Sequence, residues 1–170
     1  LHALQFRAAL HRLAQVGPGD HVIEVGPGPG GLTRALLETG ARVTAVEADP
    51  RFAPLLEELS AASGGALTLR LEDALTTNET EVAGGAPAHM VSNLPYNVGT
   101  PLLIKWLTGA FTPASMTLMF QKEVAERAVA GIRDYLRAED PSVEVSDLRA
   151  DDYTSGSLLT LTSPSLFGEP

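Results

Sequence analysis

The sequence predicts an α/β fold, a doubly wound and mostly parallel sheet of Rossmann-like form. Short apolar runs rich in Val, Ile and Leu alternate with amphipathic stretches at the spacing of βαβ units. Those runs do not alternate polar with apolar, which suits strands buried on both faces. The first of them ends in Glu24-Val25-Gly26-Pro27-Gly28-Pro29-Gly30-Gly31. Glycine-rich turns of this kind join a strand to a helix where open α/β sheets bind ligands.

Taken in order, residues 1–16 show helical spacing of Leu4, Ala8, Ala9, Leu13 and Val16, followed by the turn Gly17-Pro18-Gly19-Asp20. His21–Val25 is the first strand and Leu32–Glu38 the first helix after the glycines. Arg42–Glu47 is the second strand. Asp49-Pro50 caps a helix running to about Ser60. Leu67–Leu71 is the third strand, and Thr76–Pro87 is a polar connection with room for a short helix. His89–Ser92 is the fourth strand, Pro101–Leu107 a helix, Ser115–Phe120 the fifth strand and Lys122–Ala130 a charged helix. From Gly131 to Asp152 the periodicity fails, and Leu158–Thr162 reads as one more strand. The sequence therefore predicts a core over 1–130, a divergent tail over 131–170, and a sheet whose far edge is left apolar and uncovered.

Composition sets the outer bounds. A chain of 170 residues, 44% of them hydrophobic, is sized for one globular domain. No apolar run reaches the ~18 residues of a membrane span, and the first residues lack a charged head before an apolar stretch. The expectation is a cytoplasmic monomer with no membrane partner. The absence of cysteine excludes disulfides and thiolate chemistry, and the four histidines lack metal-ligand spacing, so no metal is expected. The net charge of −9 runs against a nucleic-acid ligand, whose phosphates call for basic partners.

The glycine turn carries the first chemical signal. Gly26, Gly28 and Gly30 let the backbone turn sharply and approach a ligand without a Cβ in the way. Glu47 ends the second strand, where a carboxylate accepts hydrogen bonds from ribose hydroxyls. Asp73 ends the third strand, placed to accept from an adenine amine, although a lone Asp at a strand end is more often a cap. Glu24 precedes the glycines inside the first strand, where it could receive the amino group of an amino-acid-bearing ligand. Dinucleotide dehydrogenases share the turn and the ribose acid, so a nicotinamide oxidoreductase stays open on these features alone.

Asn93-Leu94-Pro95-Tyr96 follows the fourth strand on the same rim of the sheet. The Asn93 oxygen and the Leu94 carbonyl can accept both N–H bonds of an exocyclic adenine amine and aim its lone pair. Pro95 fixes its own φ and restricts Leu94. Tyr96 can stack on a base. Such a site needs positioning and dipoles more than a strong base. The bland alternative is an ordinary turn with a half-buried tyrosine.

These residues resemble the ribosomal RNA adenine N6,N6-dimethyltransferases of the small-subunit, kasugamycin-resistance type. The matching stretches are Val22–Thr33, Val43–Glu47, Glu72–Leu75, Val91–Leu103 and Thr117–Val129, in the family's order, over roughly residues 12–130. The resemblance implies a seven-stranded methyltransferase fold, S-adenosylmethionine as cofactor, and ribosomal RNA or a small-subunit precursor as partner. The implied product is dimethyladenine at two adjacent adenines near the 3′ end of the small-subunit RNA. The cofactor acids fall on Glu24 or its adjoining glycines, on Glu47 and on Asp73, with Asn93 shared between cofactor and catalysis. The catalytic turn falls on Asn93, Leu94, Pro95 and Tyr96.

The family's Gln-Lys-Glu segment falls on Gln121-Lys122-Glu123, with Lys122 and Arg127 as candidate phosphate contacts or solvated helix charges. Three departures accompany the resemblance. Gln5-Phe6-Arg7-Ala8 stands where the family has an Asn-Phe-Leu motif. The chain diverges after Val129, with only Phe167 loosely matching a second aromatic wall. The basic, helical C-terminal domain of the family is expected to be absent. These departures keep two further readings open: a relative that binds cofactor or precursor RNA without turnover, and a large-subunit RNA methyltransferase.

Overall fold

The computed structural model describes residues 14–94, 97–120, 122–139, 149–153 and 156–162. Seven strands form one sheet in the order β3-β2-β1-β4-β5-β7-β6. They are β1 (His21–Val25), β2 (Arg42–Glu47), β3 (Leu67–Leu71), β4 (His89–Asn93), β5 (Ser115–Phe120), β6 (Arg149–Tyr153) and β7 (Gly156–Thr162). The helices are α1 (Gly31–Glu38), α2 (Ala53–Ala62), α3 (Glu79–Ala83), α4 (Gly99–Thr108) and α5 (Lys122–Glu139), with a 3₁₀ turn over Pro50–Phe52 before α2. β1 to β5 are parallel, and β7 runs antiparallel to both β5 and β6.

Helices cover both faces. Val22, Val43, Ala45 and Val91 pack beneath α1 and α2 through Leu32, Leu36 and Leu59. Ile23, Val25, Val46, Met90, Met116 and Leu118 form the opposite layer with Ala83 of α3, Leu102, Leu103 and Trp106 of α4, and Val129 and Ile132 of α5. Successive strand residues alternate between these layers, as the pleat requires. Burial on both sides explains why β1, with the sequence His-Val-Ile-Glu-Val, shows no polar–apolar alternation.

Two sequence expectations are corrected. Helix α5 does not stop near Ala130 but runs to Glu139. Gly131 reads as a break because it costs about 1 kcal/mol relative to Ala inside a helix. Burial of Val129 and Ile132 against the sheet outweighs that cost. Nor is the far edge left uncovered at β5: the expected strand over Leu158–Thr162 lies in β7, which pairs with β5 from Ser115↔Thr162 to Phe120↔Ser157, and β6 lies outside β7. The outer strand reads Arg149-Ala150-Asp151-Asp152-Tyr153, a charged composition that suits an edge and carries no apolar period. The expected helix over residues 1–16 falls almost wholly outside the described residues. Among the described residues no helix is long and apolar enough to cross a membrane.

Candidate functional site

The C-terminal ends of β3, β2, β1 and β4 stand side by side, and each carries a residue singled out from the sequence. Asp73 follows β3, Glu47 ends β2, the glycine turn follows β1, and Asn93 ends β4. Three steps of about 4.8 Å between strands make this row about 14 Å long, a span that suits a nucleoside joined to an amino acid.

The ladder between β1 and β4 is short. β1 pairs with β2 through Val25↔Val46, but its pairing with β4 stops at Ile23↔Met90. Beyond that point the fully buried Ser92 hydroxyl donates to the Val25 carbonyl in place of a ladder bond. Here the chain order of the sheet reverses, the place where open α/β sheets hold ligands.

The glycine turn wraps over the end of β1. Gly26 donates to the Val46 carbonyl at 2.9 Å, and Gly30 to the Pro27 carbonyl at 3.0 Å. Gly28 has φ +53°, a left-handed conformation that disfavours other residues, and a Cβ built on it would meet nothing within 4 Å. It faces open space in which a ligand can approach the backbone. Gly30 has φ +83° and serves as the N-cap of α1; a Cβ there would come within 3.3 Å of Leu59. Gly30 therefore lets α1 start close against α2.

Glu47 holds this turn. Its Oε2 accepts the Gly28 N–H at 3.0 Å and its Oε1 accepts the Asp49 N–H at 2.8 Å. An ionised carboxylate offers about four lone-pair sites, so each oxygen keeps capacity for a hydroxyl donor. Asp49 caps the 3₁₀ turn, accepting from the Arg51 N–H at 3.0 Å, as the sequence predicted. Arg51 also grips its side chain and holds the carboxyl down at about 2.

Glu24 is the anomaly of the site. It is 1% exposed, and its Oε2 has no hydrogen-bond partner among the described residues. Burial pushes its pKa up to about 8, so the carboxyl is largely protonated at neutral pH. The Thr33 side chain pulls in the opposite direction without reaching hydrogen-bond geometry, and the charge of Glu47 adds to the rise. A carboxyl placed under a glycine turn at such cost is a candidate functional group.

Asp73 is exposed and caps a turn rather than a helix: its Oδ1 accepts the Leu75 N–H at 2.9 Å, and its carbonyl accepts the N–H groups of Thr76 and Thr77. Capping leaves acceptor capacity on the carboxylate, so the cap and ligand readings coexist. Asn93 is exposed at the rim, while Leu94 is buried against the α4 layer. Pro95, Tyr96 and Phe167, the Lys122 side chain and the Gln5–Ala8 segment lie outside what the structure describes. Arg127 is exposed on α5 and its Nε donates to the Glu123 carbonyl at 3.2 Å, which fits a solvated helix charge.

Sequence reasoning missed a cluster at the junction of α3 and α4. Glu79, 5% exposed, accepts from Lys105 Nζ and from Trp106 Nε1, each at 2.7 Å. Lys105 also donates to the carbonyls of Ala74 at 2.8 Å and Thr77 at 2.5 Å. A detectable signal was the single cation in the otherwise apolar run Leu102-Leu103-Ile104-Lys105-Trp106-Leu107. Lysine inside an apolar helix needs a buried partner.

The strand order, its reversal between β1 and β4 and the acid-lined glycine turn mark a candidate nucleotide-type site on a Rossmann-like α/β core. The particular family follows from comparison: residues 7–138 match the family model described as ribosomal RNA adenine dimethylase, and the chain belongs to that family. The ribosomal RNA small subunit methyltransferase A of Phenylobacterium zucineum is 69% identical over 127 residues, covering 75% of this chain and 44% of that protein. The chain thus spans about half the length of the curated relatives it matches. Among solved structures, the 23S rRNA methyltransferase ErmE superposes with a TM-score of 0.72 at 21% identity, covering 93% of this chain and 67% of that one. An RNA methyltransferase from Salinibacter ruber, in complex with S-adenosyl-L-homocysteine, superposes with a TM-score of 0.66 at 16% identity, covering 98% and 94%. At these identities the two structures establish the fold.

Proposed function

We propose that this chain forms the cofactor-binding and catalytic core of an enzyme that methylates N6 of adenines in small-subunit ribosomal RNA, with S-adenosylmethionine as cofactor, acting as a cytoplasmic monomer during ribosome biogenesis. The observation that carries the proposal is the row of Asp73, Glu47, the glycine turn and Asn93 on four adjacent strand ends, in a chain of the ribosomal RNA adenine dimethylase family.

The residues present fit the cofactor. The open space over Gly28 admits it without a Cβ in the way. Glu47 has lone pairs left for two ribose hydroxyls, and Asp73 has them for an adenine amine. The unpartnered Oε2 of Glu24 suits an amino group near the glycine turn, whose positive charge would favour the ionised carboxylate. When bound, S-adenosylmethionine supplies a methyl group on a sulfonium centre.

The remaining work belongs to the rim of β4. The Asn93 side-chain oxygen and the Leu94 carbonyl accept the two N–H bonds of the target amine. That fixes the nitrogen and directs its lone pair toward the glycine turn after β1. Pro95 stiffens this turn, and Tyr96 stacks on the adenine, which must leave its own stack to enter. The released proton passes to water, so positioning and oriented dipoles carry the rate enhancement.

A second reading, cofactor or RNA binding without turnover, is favoured by the net charge of −9, which weakens phosphate contacts. The test is transfer of labelled methyl groups to small ribosomal subunits lacking the modification. Label in dimethyladenine, reduced about 100- to 1000-fold by Asn93→Ala, is the result expected of a positioned acceptor. Cofactor binding with no transfer would favour the second reading.

A further inference from the structure

We infer that Lys105 is a positioning residue for the cofactor site: its ammonium clamps the turn that carries Asp73 onto α4. The inference rests on the proposed cofactor role of Asp73.

The geometry is that of a saturated cation. An ammonium has three donors, and all three are spent: on the Ala74 carbonyl, the Thr77 carbonyl and Glu79 Oε1. Two of these acceptors belong to the short turn that begins at Asp73. The same turn is closed from inside by the Asp73 carbonyl, which accepts from the backbone N–H and the hydroxyl of both Thr76 and Thr77. Its carboxylate is oriented by the Leu75 N–H. Without Lys105, the outward carbonyls of Ala74 and Thr77 lose the charge-assisted bonds that fix the turn to the body of the protein.

Glu79 makes the clamp rigid. Its carboxylate, almost fully buried, is shared between Lys105 and the indole of Trp106, which is itself 1% exposed in the α4 layer. Lys105 is thereby anchored to the core at one end and to the Asp73 turn at the other. α4 begins at Gly99, just past the turn of Asn93. One helix thus braces the β3 end of the row and follows directly from the β4 end. Loosening the clamp displaces Asp73 and leaves the glycine turn, held by Glu47, in place.

Lys105→Met alone leaves Glu79 buried and underpaired, so the test uses Lys105→Met with Glu79→Gln, beside Lys105→Arg and Asp73→Asn, all in the full chain. Calorimetry with S-adenosylhomocysteine reads affinity, and amide hydrogen exchange reads the turn at Thr76 and Thr77. The expected double variant stays folded, loses protection at those two amides while β1 and β2 stay protected, and binds about tenfold more weakly. Adding Asp73→Asn to it costs little more, because both act on one contact, and Lys105→Arg restores most of the loss. Unchanged protection of Thr76 and Thr77, or affinity losses that add in full, would overturn the inference. If the wild-type chain itself does not bind the probe, the cofactor reading of Asp73 fails, and the positioning role falls with it even where exchange shows the turn released.

Discussion

Glu24 and Glu79 are both buried, and they are treated in opposite ways. Glu79, at the start of α3, meets an ammonium and an indole. Glu24, under the glycine turn, has an oxygen with no partner among the described residues. The first arrangement follows the ordinary rule that a buried charge is paired and hydrogen-bonded. The second violates it, and burial raises the pKa to about 8 instead. The contrast separates an acid that holds the structure together from one the fold keeps at a cost. It also coincides with position: Glu79 sits in a junction between helices, whereas Glu24 lies where four strand ends converge.

The largest expected effect would break the Glu79 side of this contrast. Glu79→Ala leaves the Lys105 ammonium short of its acceptor and the buried Trp106 N–H without one. Thermal or denaturant unfolding is expected to show a loss of about 3–5 kcal/mol. A loss below about 1 kcal/mol would mean that the cluster is dispensable.

Glu24 is expected to respond in the reverse sense. Its folded pKa lies above the unfolded value, so its contribution is fully present below about pH 4.5 and is lost as pH rises toward 8. Glu24→Gln mimics the protonated form and is expected to raise Tm at pH 8.5 by about 5 °C, with the gain vanishing near pH 5. The same substitution is expected to weaken S-adenosylmethionine about tenfold by calorimetry, since the neutral amide lacks the charge for the amino group. Higher stability with unchanged affinity would assign Glu24 to the fold alone.

The smallest effect belongs to the opposite rim of the sheet. His21 Nε2 and Thr44 Oγ1 lie 2.9 Å apart, and burial, with the charge of Arg42, pushes the His21 pKa down. The unfolded chain then binds the extra proton. Stability is expected to be intact above about pH 6.5 and to fall as pH drops below it. His21→Gln should flatten that part of the Tm–pH curve, and an unchanged slope would remove His21 as its source.

Much of the fold was legible because β1, β2 and β5 are buried on both faces and β3 alternates leucine with polar residues. β1, β2, β3 and β5 fall on the residues that the apolar runs marked. Local turn chemistry was legible too: Asp49 caps, and the glycines adopt left-handed φ. The rest depends on partners distant in sequence. Gly131 argued for a helix end until Ile132 found the sheet, and β6 carries charges because it is an edge. β4 reached one residue further than its apolar run, to Asn93, because pairing with β5 extends to Asn93↔Met119.

The site divides along the same line. Glu47, Asp73, Asn93 and the glycines could be named because each sits at a strand end, where sequence spacing places it. The Lys105–Glu79–Trp106 cluster joins residues 26 and 27 positions apart, and no local pattern links them. The depth of Glu24 also required the fold: α1 covers it through Thr33, itself fully buried.

The measurement that tests the account most directly is a calorimetric titration of S-adenosylhomocysteine into the wild-type chain and Glu47→Gln at neutral pH. One site per chain is expected, weakened about 10- to 100-fold when the Glu47 carboxylate becomes an amide. Equal affinity in the two proteins, or no heat of binding in a folded wild-type sample, would contradict it.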